Sequence, residues 1–394
     1  MRAINLSNAL VSAGHNVVLW SADFDHFSKK QRFGSSVTVD QSSNLQIRLI
    51  KSSGYKSNSA KIERLIDHAL MGFNLHRLLK HSKPPDVAFV GYPPIETAWV
   101  MIKWLKKHNV PTVLDVKDGW PDTFLRVFRK KLRPIVRFLL IPYSFMMKKA
   151  FQNADSISAP TRDFLEWATG KAKRSISDND IVAPLTLPNI EFSKNDIELA
   201  DSYLQSNGVC NDGKFRVTFI GTLNNVFNFD QVFQVASQLP VEFVIAGDGP
   251  QFEALKIKAV QSKNIKMLGW VDACQSRVLI NRSSLLIAPY RLLPDFEMSI
   301  PNKFFDAMSQ GLPIVTSISG TAGRLVEENQ IGFTFDIRDS SSLHSVLSKA
   351  LMAPQVLAEM SGRSQQLFQN HFTYEQVYGA LRKHLEILAM RNNV

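Results

Sequence analysis

The chain has 394 residues, and its 46 basic and 35 acidic side chains give a formal net charge of +11. This length suggests two domains, and 45% hydrophobic with 21% charged residues excludes a disordered, fibrous or small disulfide-stabilised protein. Two cysteines, Cys210 and Cys274, provide neither a disulfide framework nor a cysteine zinc site, which favours a reducing cytoplasm.

Short apolar or β-branched runs alternate with longer helical patterns along the first half of the chain. The helical patterns cover residues 4–13, 61–80, 96–108 and 126–153. The runs predicted as strands are HNVVLWSA, LQIRLI, DVAFVGY, PTVLDVKD and DSISAPT. This alternation favours a parallel sheet with helices on both faces.

After residue 213 the alternation begins again, with strands predicted over FRVTFIGT, VEFVIAGDG, IKMLGWV, SLLIAPY, LPIVTSI and GFTFDI. The segment IVAPLTLPNIEFSKND between the two series is typical of a linker. We expect two doubly wound, Rossmann-like α/β domains over residues 1–190 and 191–372, and a C-terminal helix over 373–394 that packs back towards the first domain. Ligands of such sheets bind beyond the carboxyl ends of the strands, so we expect the site in the cleft between the domains.

The positive charge is concentrated near the N-terminus, because residues 1–150 hold 24 Lys and Arg against 10 Asp and Glu. No acid occurs between Asp122 and Asp155. Apolar residues there are interleaved with Arg126, Arg129, Lys130, Lys131, Arg133 and Arg137. The pattern predicts a basic amphipathic segment on an anionic membrane surface, with a solvated helix face as the alternative. Nucleic acid is disfavoured as a partner, because no zinc-finger spacing or RNA-binding motif occurs.

The N-terminal segment lacks the pattern of a secretory signal. The most apolar stretch, residues 134–147, is interrupted by Arg137 and Pro142 and is shorter than the ~20 residues of a spanning helix. We therefore expect a cytoplasmic protein that is soluble or attached peripherally to the inner face of the cell membrane.

Glycine turns follow two predicted strands of the second domain. Gly221 and Thr222 come directly after FRVTFI, and Gly247 opens the turn Gly-Asp-Gly-Pro after VEFVIA. A residue without a side chain lets backbone N–H groups face an anion, although such clusters are also common in ordinary turns. Trp270 and Val271 follow the next strand.

The segment SIPNKFFDAMSQGLPIVTS opens a helix and ends in a turn into a strand. We expect Ser299 to cap this helix, with Pro301 in its first turn, so that the amides at Ser299–Asn302 are free to bind a diphosphate. Lys303 adds a positive charge, and Asp306 is placed one turn later. The alternative is that Lys303 and Asp306 form an i,i+3 pair on a solvent-exposed face.

In this order the pieces resemble the C-terminal half of family 4 glycosyltransferases of the GT-B type. The matching blocks are FIGTL, IAGDGP, LGWV, APY and PNKFFDAMSQGLPIV in the second domain, and AINLSNALVSAGHNVVLWSA, PTVLDVKDGWPD and ADSISAPT in the first. The resemblance is greatest to members that assemble bacterial surface polysaccharides such as O-antigen (lipopolysaccharide) or capsule.

The resemblance implies transfer of a sugar from a nucleotide-sugar, with UDP as the expected nucleotide, usually with retention and without a metal or other cofactor. Gly221, Thr222, Gly247 and the backbone N–H groups of the segment Ser299–Asn302, with Pro301 fixing its conformation, would then hold the diphosphate with Lys303. Trp270 and Val271 would line the base, and Asp306 would bind the ribose. Asp118 would orient the acceptor or the donor hydroxyls, with a helix cap as its alternative role.

Three features depart from the family pattern. The first strand and glycine-rich loop that relatives place before the first helix are missing, so we expect an upstream start or a truncation. The family's paired acids lie eight positions apart, and here Met298 replaces the first, with Glu297 one residue out of register. Adjacent residues of an extended loop point in opposite directions, so Glu297 does not simply replace the missing acid. We retain it as a catalytic candidate together with Asp118. The usual Arg and Lys after Gly221 are also absent, which leaves the phosphate clamp to Lys303, with Arg291 as a second candidate, and to backbone amides.

Two functions remain open from these residues. The first is a hexosyl- or N-acetylhexosaminyl-type transferase acting on a lipid-linked saccharide. The second is a catalytically inactive, GT-B-shaped partner or scaffold protein, to which the three departures point. Another GT-B enzyme, such as a UDP-sugar epimerase, is disfavoured because it lacks the PNKFFDAMSQGLP-type helix.

Overall fold

The computed structural model describes residues 2–25, 28–56, 62–188 and 190–391, without the side chains of residues 126 and 127. The chain divides into two compact units. The first is Met1–Pro184 together with Val377–Val394, and the second is Leu185–Gln376.

The first unit is built mainly from strands that alternate with helices. Its elements in chain order are α1 (Arg2–Ser12), β1 (Val17–Ala22), β2 (Phe24–Asp25), β3 (Lys30–Gln31), β4 (Val37–Ser42), β5 (Leu45–Ile50), α2 (Ile62–Leu79), β6 (Ala88–Tyr92), α3 (Ile95–Lys107), β7 (Thr112–Val116), two 3₁₀ turns (Asp122–Val127 and Lys130–Leu132), α4 (Arg133–Leu139), α5 (Ile141–Asn153), β8 (Ser156–Ala159), α6 (Arg162–Ala172) and β9 (Ile181–Val182).

The strands of the first unit form two main sheets in the described residues. One has the order β4-β5-β1, in which β1 and β5 are parallel and β4 is antiparallel. The other is parallel and has the order β6-β7-β8-β9. β1 and β6 therefore each have a paired neighbour on one side, and most of their residues are half-buried, whereas every residue of β7 and β8 is buried.

Four helices of the first unit pack side by side in the order α2, α3, α5 and α6. Met71 and Leu75 of α2 form a buried cluster with Ile50 of β5, and Trp20 of β1 and Trp104 of α3 pack against it. α1 is fixed by Arg2, which makes an ion pair with the fully buried Asp115 at 3.2 Å and donates to two backbone carbonyls, Ala183 at 2.8 Å and Pro184 at 3.1 Å.

The single helix expected over residues 126–153 is wrong. Two 3₁₀ turns and two helices, α4 and α5, cover this segment. Pro134 and Pro142 each lie in the first turn of one of these helices. Proline lacks the amide hydrogen that a helix interior needs, so each proline starts a helix here.

The second unit contains the elements from residue 194 onwards. They are α7 (Lys194–Ser206), β10 (Arg216–Ile220), α8 (Asp230–Ala236), β11 (Glu242–Ala246), α9 (Phe252–Ala259), β12 (Ile265–Gly269), α10 (Ala273–Asn281), β13 (Leu285–Ala288), α11 (Pro294–Glu297), α12 (Asn302–Ser309), β14 (Ile314–Thr316), α13 (Thr321–Glu328), β15 (Gly332–Thr334), α14 (Ser342–Met352), α15 (Pro354–His371) and α16 (Tyr374–Arg391), which returns the chain to the first unit.

One parallel sheet with the order β12-β11-β10-β13-β14-β15 forms the core of the second unit. Phe219, Phe243 and Ile287 on its strands pack with Phe304 and Phe305 of α12 in a large apolar cluster. The order reverses between β10 and β13, which is the topological switch point where such sheets bind ligands. The predicted doubly wound α/β fold is confirmed.

Candidate functional site

Three glycines lie side by side at the carboxyl ends of β10, β11 and β12. The amide of Gly221 donates to the carbonyl of Ala246 at 3.0 Å, and that of Gly247 donates to the carbonyl of Gly269 at 2.6 Å. Gly221 and Gly247 have φ angles of 144° and 142°, and a Cβ atom on Gly247 would lie 1.9 Å from the Gly221 oxygen. Side chains are therefore excluded, and the strand ends present bare backbone. Thr222 follows as an exposed residue.

Lys303 lies beside this backbone. Its Nζ is 3.2 Å from the position that a Cβ atom on Gly221 would occupy. The same nitrogen lies 3.8 Å from the ring centre of Phe219, 4.3 Å from that of Phe227 and 5.4 Å from that of Tyr290. It is buried and has no hydrogen-bond partner among the described residues. The pKa of Lys303 is lowered well below its usual value by burial, which the nearby Asp306 opposes.

Asp306 lies one turn after Lys303 in α12. Burial raises the pKa of its carboxyl group to about 6, while Lys303 and Arg277 act in the opposite direction. Neither Lys303 nor Asp306 is solvent-exposed, so the alternative of a surface i,i+3 pair is wrong. A buried cation and a half-buried acid with opposed pKa shifts, at the end of a parallel sheet, are typical of a functional site.

The start of α12 differs from the expectation in two details. The helix begins at Asn302 with Pro301 as its N-cap residue. The hydroxyl of Ser299 donates to the carbonyl of Asp295 at 2.6 Å, so Ser299 does not cap α12, and that expectation is wrong. The hydroxyl is used by the preceding short helix, α11. The amide of Ser299 donates to the carbonyl of Phe296 at 3.2 Å, so the expectation that it is free is wrong, and Phe304 donates to the carbonyl of Pro301 at 2.9 Å. The amides of Asn302 and Lys303, the first two of α12, have no acceptor within the helix.

Glu297 is tied to the loop that follows β14. Its Oε2 accepts a hydrogen bond from the Ser319 hydroxyl at 3.0 Å. Its carbonyl oxygen lies 1.9 Å from the position of a Cβ atom on Gly320, so glycine is needed there. The sequence showed no sign of Ser319 as a partner, because 22 positions separate the two residues.

Trp270 and Val271 have different environments after β12. The Trp270 side chain is 71% exposed at the carboxyl edge of the sheet. Val271 is half-buried and packs against the apolar cluster that includes Val244 and Leu279. Trp270 is thus available to a ligand, whereas much of Val271 is occupied by the core.

In the first unit, Asp118 lies in the loop after β7. Its Oδ1 accepts a hydrogen bond from the Thr123 hydroxyl at 3.2 Å. The first 3₁₀ turn begins at Asp122 without a side-chain cap, and Asp122 makes an ion pair with Lys171. Asp118 is therefore at the ligand-binding end of its sheet, held to the following turn.

Sequence reasoning missed Glu96, at the start of α3. It is buried, and burial raises the pKa of its carboxyl group to about 7 despite a hydrogen bond from Tyr143. Its Oε2 lies 4.0 Å from Nδ1 of His68, and its Oε1 has no partner among the described residues. The available signal was an acid directly after a strand and two prolines, at the carboxyl end of β6.

The predicted membrane-surface residues lie in and between the 3₁₀ turns and α4. They are Arg129, Lys130, Lys131, Arg133 and Arg137, while the side chain of Arg126 lies outside the described part of the chain. The Nε of Arg133 donates to the carbonyl of Phe128 at 3.3 Å. Phe138 of α4 and Phe145 of α5 are exposed beside them.

The described ranges contain neither a metal-binding cluster nor a membrane-spanning helix. No group of three or more His, Cys, Asp and Glu residues there is arranged to hold a metal ion. No helix in the same residues combines the length and the apolar character needed to cross a bilayer.

Residues 214–352 match the family described as Glycosyl transferases group 1. No curated protein sequence matches the chain. Among solved structures, sucrose-phosphate synthase from Thermosynechococcus elongatus has a TM-score of 0.70 at 15% identity, over 98% of this chain and 92% of that one.

Two further structures are similar to the chain. Anabaena HepE in complex with UDP-glucose has a TM-score of 0.61 at 16% identity, over 86% of each chain. WaaG, a glycosyltransferase involved in lipopolysaccharide biosynthesis, has a TM-score of 0.61 at 13% identity, over 97% of this chain and 94% of that one. The chain thus has the GT-B fold, and within it residues 214–352 match the glycosyl transferases group 1 model.

Proposed function

We propose that the protein transfers a hexosyl or N-acetylhexosaminyl group from a nucleotide-diphosphate sugar to a hydroxyl of a lipid-linked saccharide, with retention and without a metal. The observation that carries this proposal is the environment of Lys303. Its buried nitrogen has no described hydrogen-bond partner and lies against the bare backbone at Gly221. A phosphate oxygen placed over Gly221 would supply that partner.

The same arrangement accounts for catalysis. When the sugar leaves, negative charge develops on the diphosphate, and preorganised donors at that position stabilise the transition state. The side chain of Lys303 and the first two amides of α12 are such donors. In this proposal Asp306, one turn later, accepts hydrogen bonds from the ribose hydroxyls, and the exposed ring of Trp270 stacks on the base.

UDP is the proposed nucleotide, since the HepE structure contains UDP-glucose. We assign the acceptor to the first unit, where Asp118 and Glu96 lie at the carboxyl ends of β7 and β6. Exposed phenylalanines among arginines and lysines around α4 support attachment to an anionic membrane surface. The likeness to WaaG, a glycosyltransferase involved in lipopolysaccharide biosynthesis, supports a role in surface polysaccharide synthesis, and we propose the cytoplasmic face of the membrane as its location.

Nucleotide binding is the first test, by thermal shift and ligand-observed NMR with UDP, GDP, dTDP, ADP and CMP. We expect selective binding of one diphosphate, UDP, and its loss in Lys303→Met. Lys349→Met is the matched control, because Lys349 is an exposed lysine of α14. Silence from all five nucleotides in a folded sample would contradict the proposal and favour a catalytically inactive, GT-B-shaped scaffold.

Proton uptake provides a sharper readout of the same site. Because burial lowers the pKa of Lys303, a bound diphosphate should restore its proton. Calorimetry in buffers of different ionisation enthalpy should then show net proton uptake by the wild-type protein. Equal binding heats in all buffers would assign the nucleotide contact to other groups.

A further inference from the structure

α2 exposes a stripe of apolar side chains to solvent. Ile62, Ile66, Leu70 and Phe73 are 73%, 54%, 43% and 58% exposed. Their spacing of four, four and three residues places them on one face of the helix. The opposite face is buried through residues such as Met71 and Leu75. α2 is therefore apolar on both sides, although only its inner side has a partner among the described residues.

The neighbouring helices continue this outer face. α3 packs between α2 and α5 and carries Lys103 5.4 Å from the ring centre of Trp99. α4 and α5 add further exposed apolar side chains, which are Ile135, Phe138, Leu139, Ile141 and Phe145. α2 alone is about 27 Å long at 1.5 Å per residue. The outer sides of α2, α3, α4 and α5 together form a surface that we term the helical platform.

The charge of the helical platform is almost entirely positive. Its exposed or half-exposed cations are Arg77, Lys103, Lys106, Lys107, Arg133, Arg137, Lys148 and Lys149. In these four helices, all within the described ranges, Glu63 is the only exposed acid, since Asp67 and Glu96 are buried and α4 and α5 contain none. Apolar side chains of this size interleaved with cations match an anionic lipid surface.

We propose that the whole helical platform docks on an anionic bilayer, with the stripe of α2 inserted beside α4 and α5. This extends the membrane attachment in the proposed function, on which it rests, from one basic segment to four helices. A second copy of the chain is a poor occupant, because pairing two platforms would bring like charges together. The apolar side chains stand along separate helices, which suits partition into a lipid interface.

Vesicle co-sedimentation of the full chain tests the proposal. The vesicles contain phosphatidylcholine alone or with phosphatidylglycerol. We expect Ile66→Ser with Phe73→Ser to weaken binding to the anionic vesicles by about tenfold or more, because two apolar side chains no longer leave water. Both positions are exposed, so the urea midpoint of unfolding should match that of the wild-type protein.

The matched control is Ile257→Ser with Val260→Ser at the end of α9. These side chains are also exposed but lie in the second unit, so vesicle binding should be unchanged. A third variant, Arg129→Gln with Lys130→Gln, Lys131→Gln and Arg133→Gln, tests the basic segment by itself. Unchanged binding of the α2 variant, with binding lost in the basic-segment variant, would overturn the platform and leave the proposed attachment intact.

Two further results separate this inference from the proposed function. If no variant binds less than the wild-type protein, membrane attachment through either region is wrong, whereas nucleotide binding still tests the transferase. Light scattering without lipid tests the other occupant. A concentration-dependent dimer that the α2 variant abolishes would overturn the bilayer in favour of a second copy.

Discussion

A basic side chain is buried at each end of β10, but the two differ in their hydrogen-bond partners. At the amino end, Arg216 contacts Glu242 at 3.2 Å and Asp212 at 3.0 Å, and it donates to the carbonyl of Arg282 at 2.6 Å. At the carboxyl end, Lys303 lies among aromatic rings without a hydrogen-bond partner in the described residues. Arg216 is built to hold the fold, whereas Lys303 keeps its donors free at a cost in stability.

The largest loss of stability should follow from removing the buried ion pairs of Arg216 at the amino end of β10. Arg216→Met leaves the buried Glu242 with only Lys266, at 2.7 Å, and leaves the Arg282 carbonyl without its donor. We expect the free energy of unfolding to fall by about 3–5 kcal/mol, measured by urea denaturation. Retained nucleotide binding below the unfolding transition would confirm that this end is structural. A loss of less than about 1 kcal/mol in the free energy of unfolding would contradict the structural role of Arg216.

Adding a side chain to the glycine backbone at the carboxyl end of the sheet should reduce the free energy of unfolding almost as much. Gly247→Ala places a Cβ atom 1.9 Å from the Gly221 oxygen at a φ angle of 142°, which alanine rarely adopts. We expect a loss of about 3 kcal/mol and weaker nucleotide binding. Gly362→Ala in α15 is the control, because a Cβ atom there meets nothing within 4 Å. Equal effects of the two changes would argue against close packing of the strand ends.

Asp306 should make stability depend on pH. Its folded-state pKa is raised from 3.8 to about 6, so the folded protein holds this proton more tightly than the unfolded chain. The free energy of unfolding should therefore fall as pH rises from about 4 to about 6, by at most about 3 kcal/mol. Asp306→Asn should remove this slope in denaturation curves across that range, and an unchanged slope would assign it to other groups.

The smallest stability effect is expected for Lys303→Met. The apolar side chain suits the three rings and removes no hydrogen bond seen among the described residues, so stability should change by less than about 1 kcal/mol or increase. Paired with Arg216→Met, this is the same type of substitution at opposite ends of one strand. A large loss of stability in urea denaturation would show that Lys303 has a structural role.

Much of the architecture could be predicted, because runs such as FRVTFI and VEFVIA are rich in the β-branched and aromatic residues that favour strands. β4 was missed because Val37 and Val39 are its only apolar residues, too short a run to mark a strand, and its pairing with β5 is non-local information. The positions of Gly221 and Gly247 followed from their place after strands. The burial of Lys303 and Asp306 did not, because i,i+3 spacing fits an exposed pair equally well and the covering rings come from three distant segments.

In the described residues β1 and β6 pair on one side only, and this affects how often the first unit opens locally to solvent. Half of the backbone groups of such strands point away from the paired neighbour, and breaking one ladder is enough to release each strand. Amide hydrogens of β1 and β6 should therefore exchange with solvent sooner than those of β10 and β11 in the second unit. Proteases would then make their first cuts in the first unit, while the second unit remains intact.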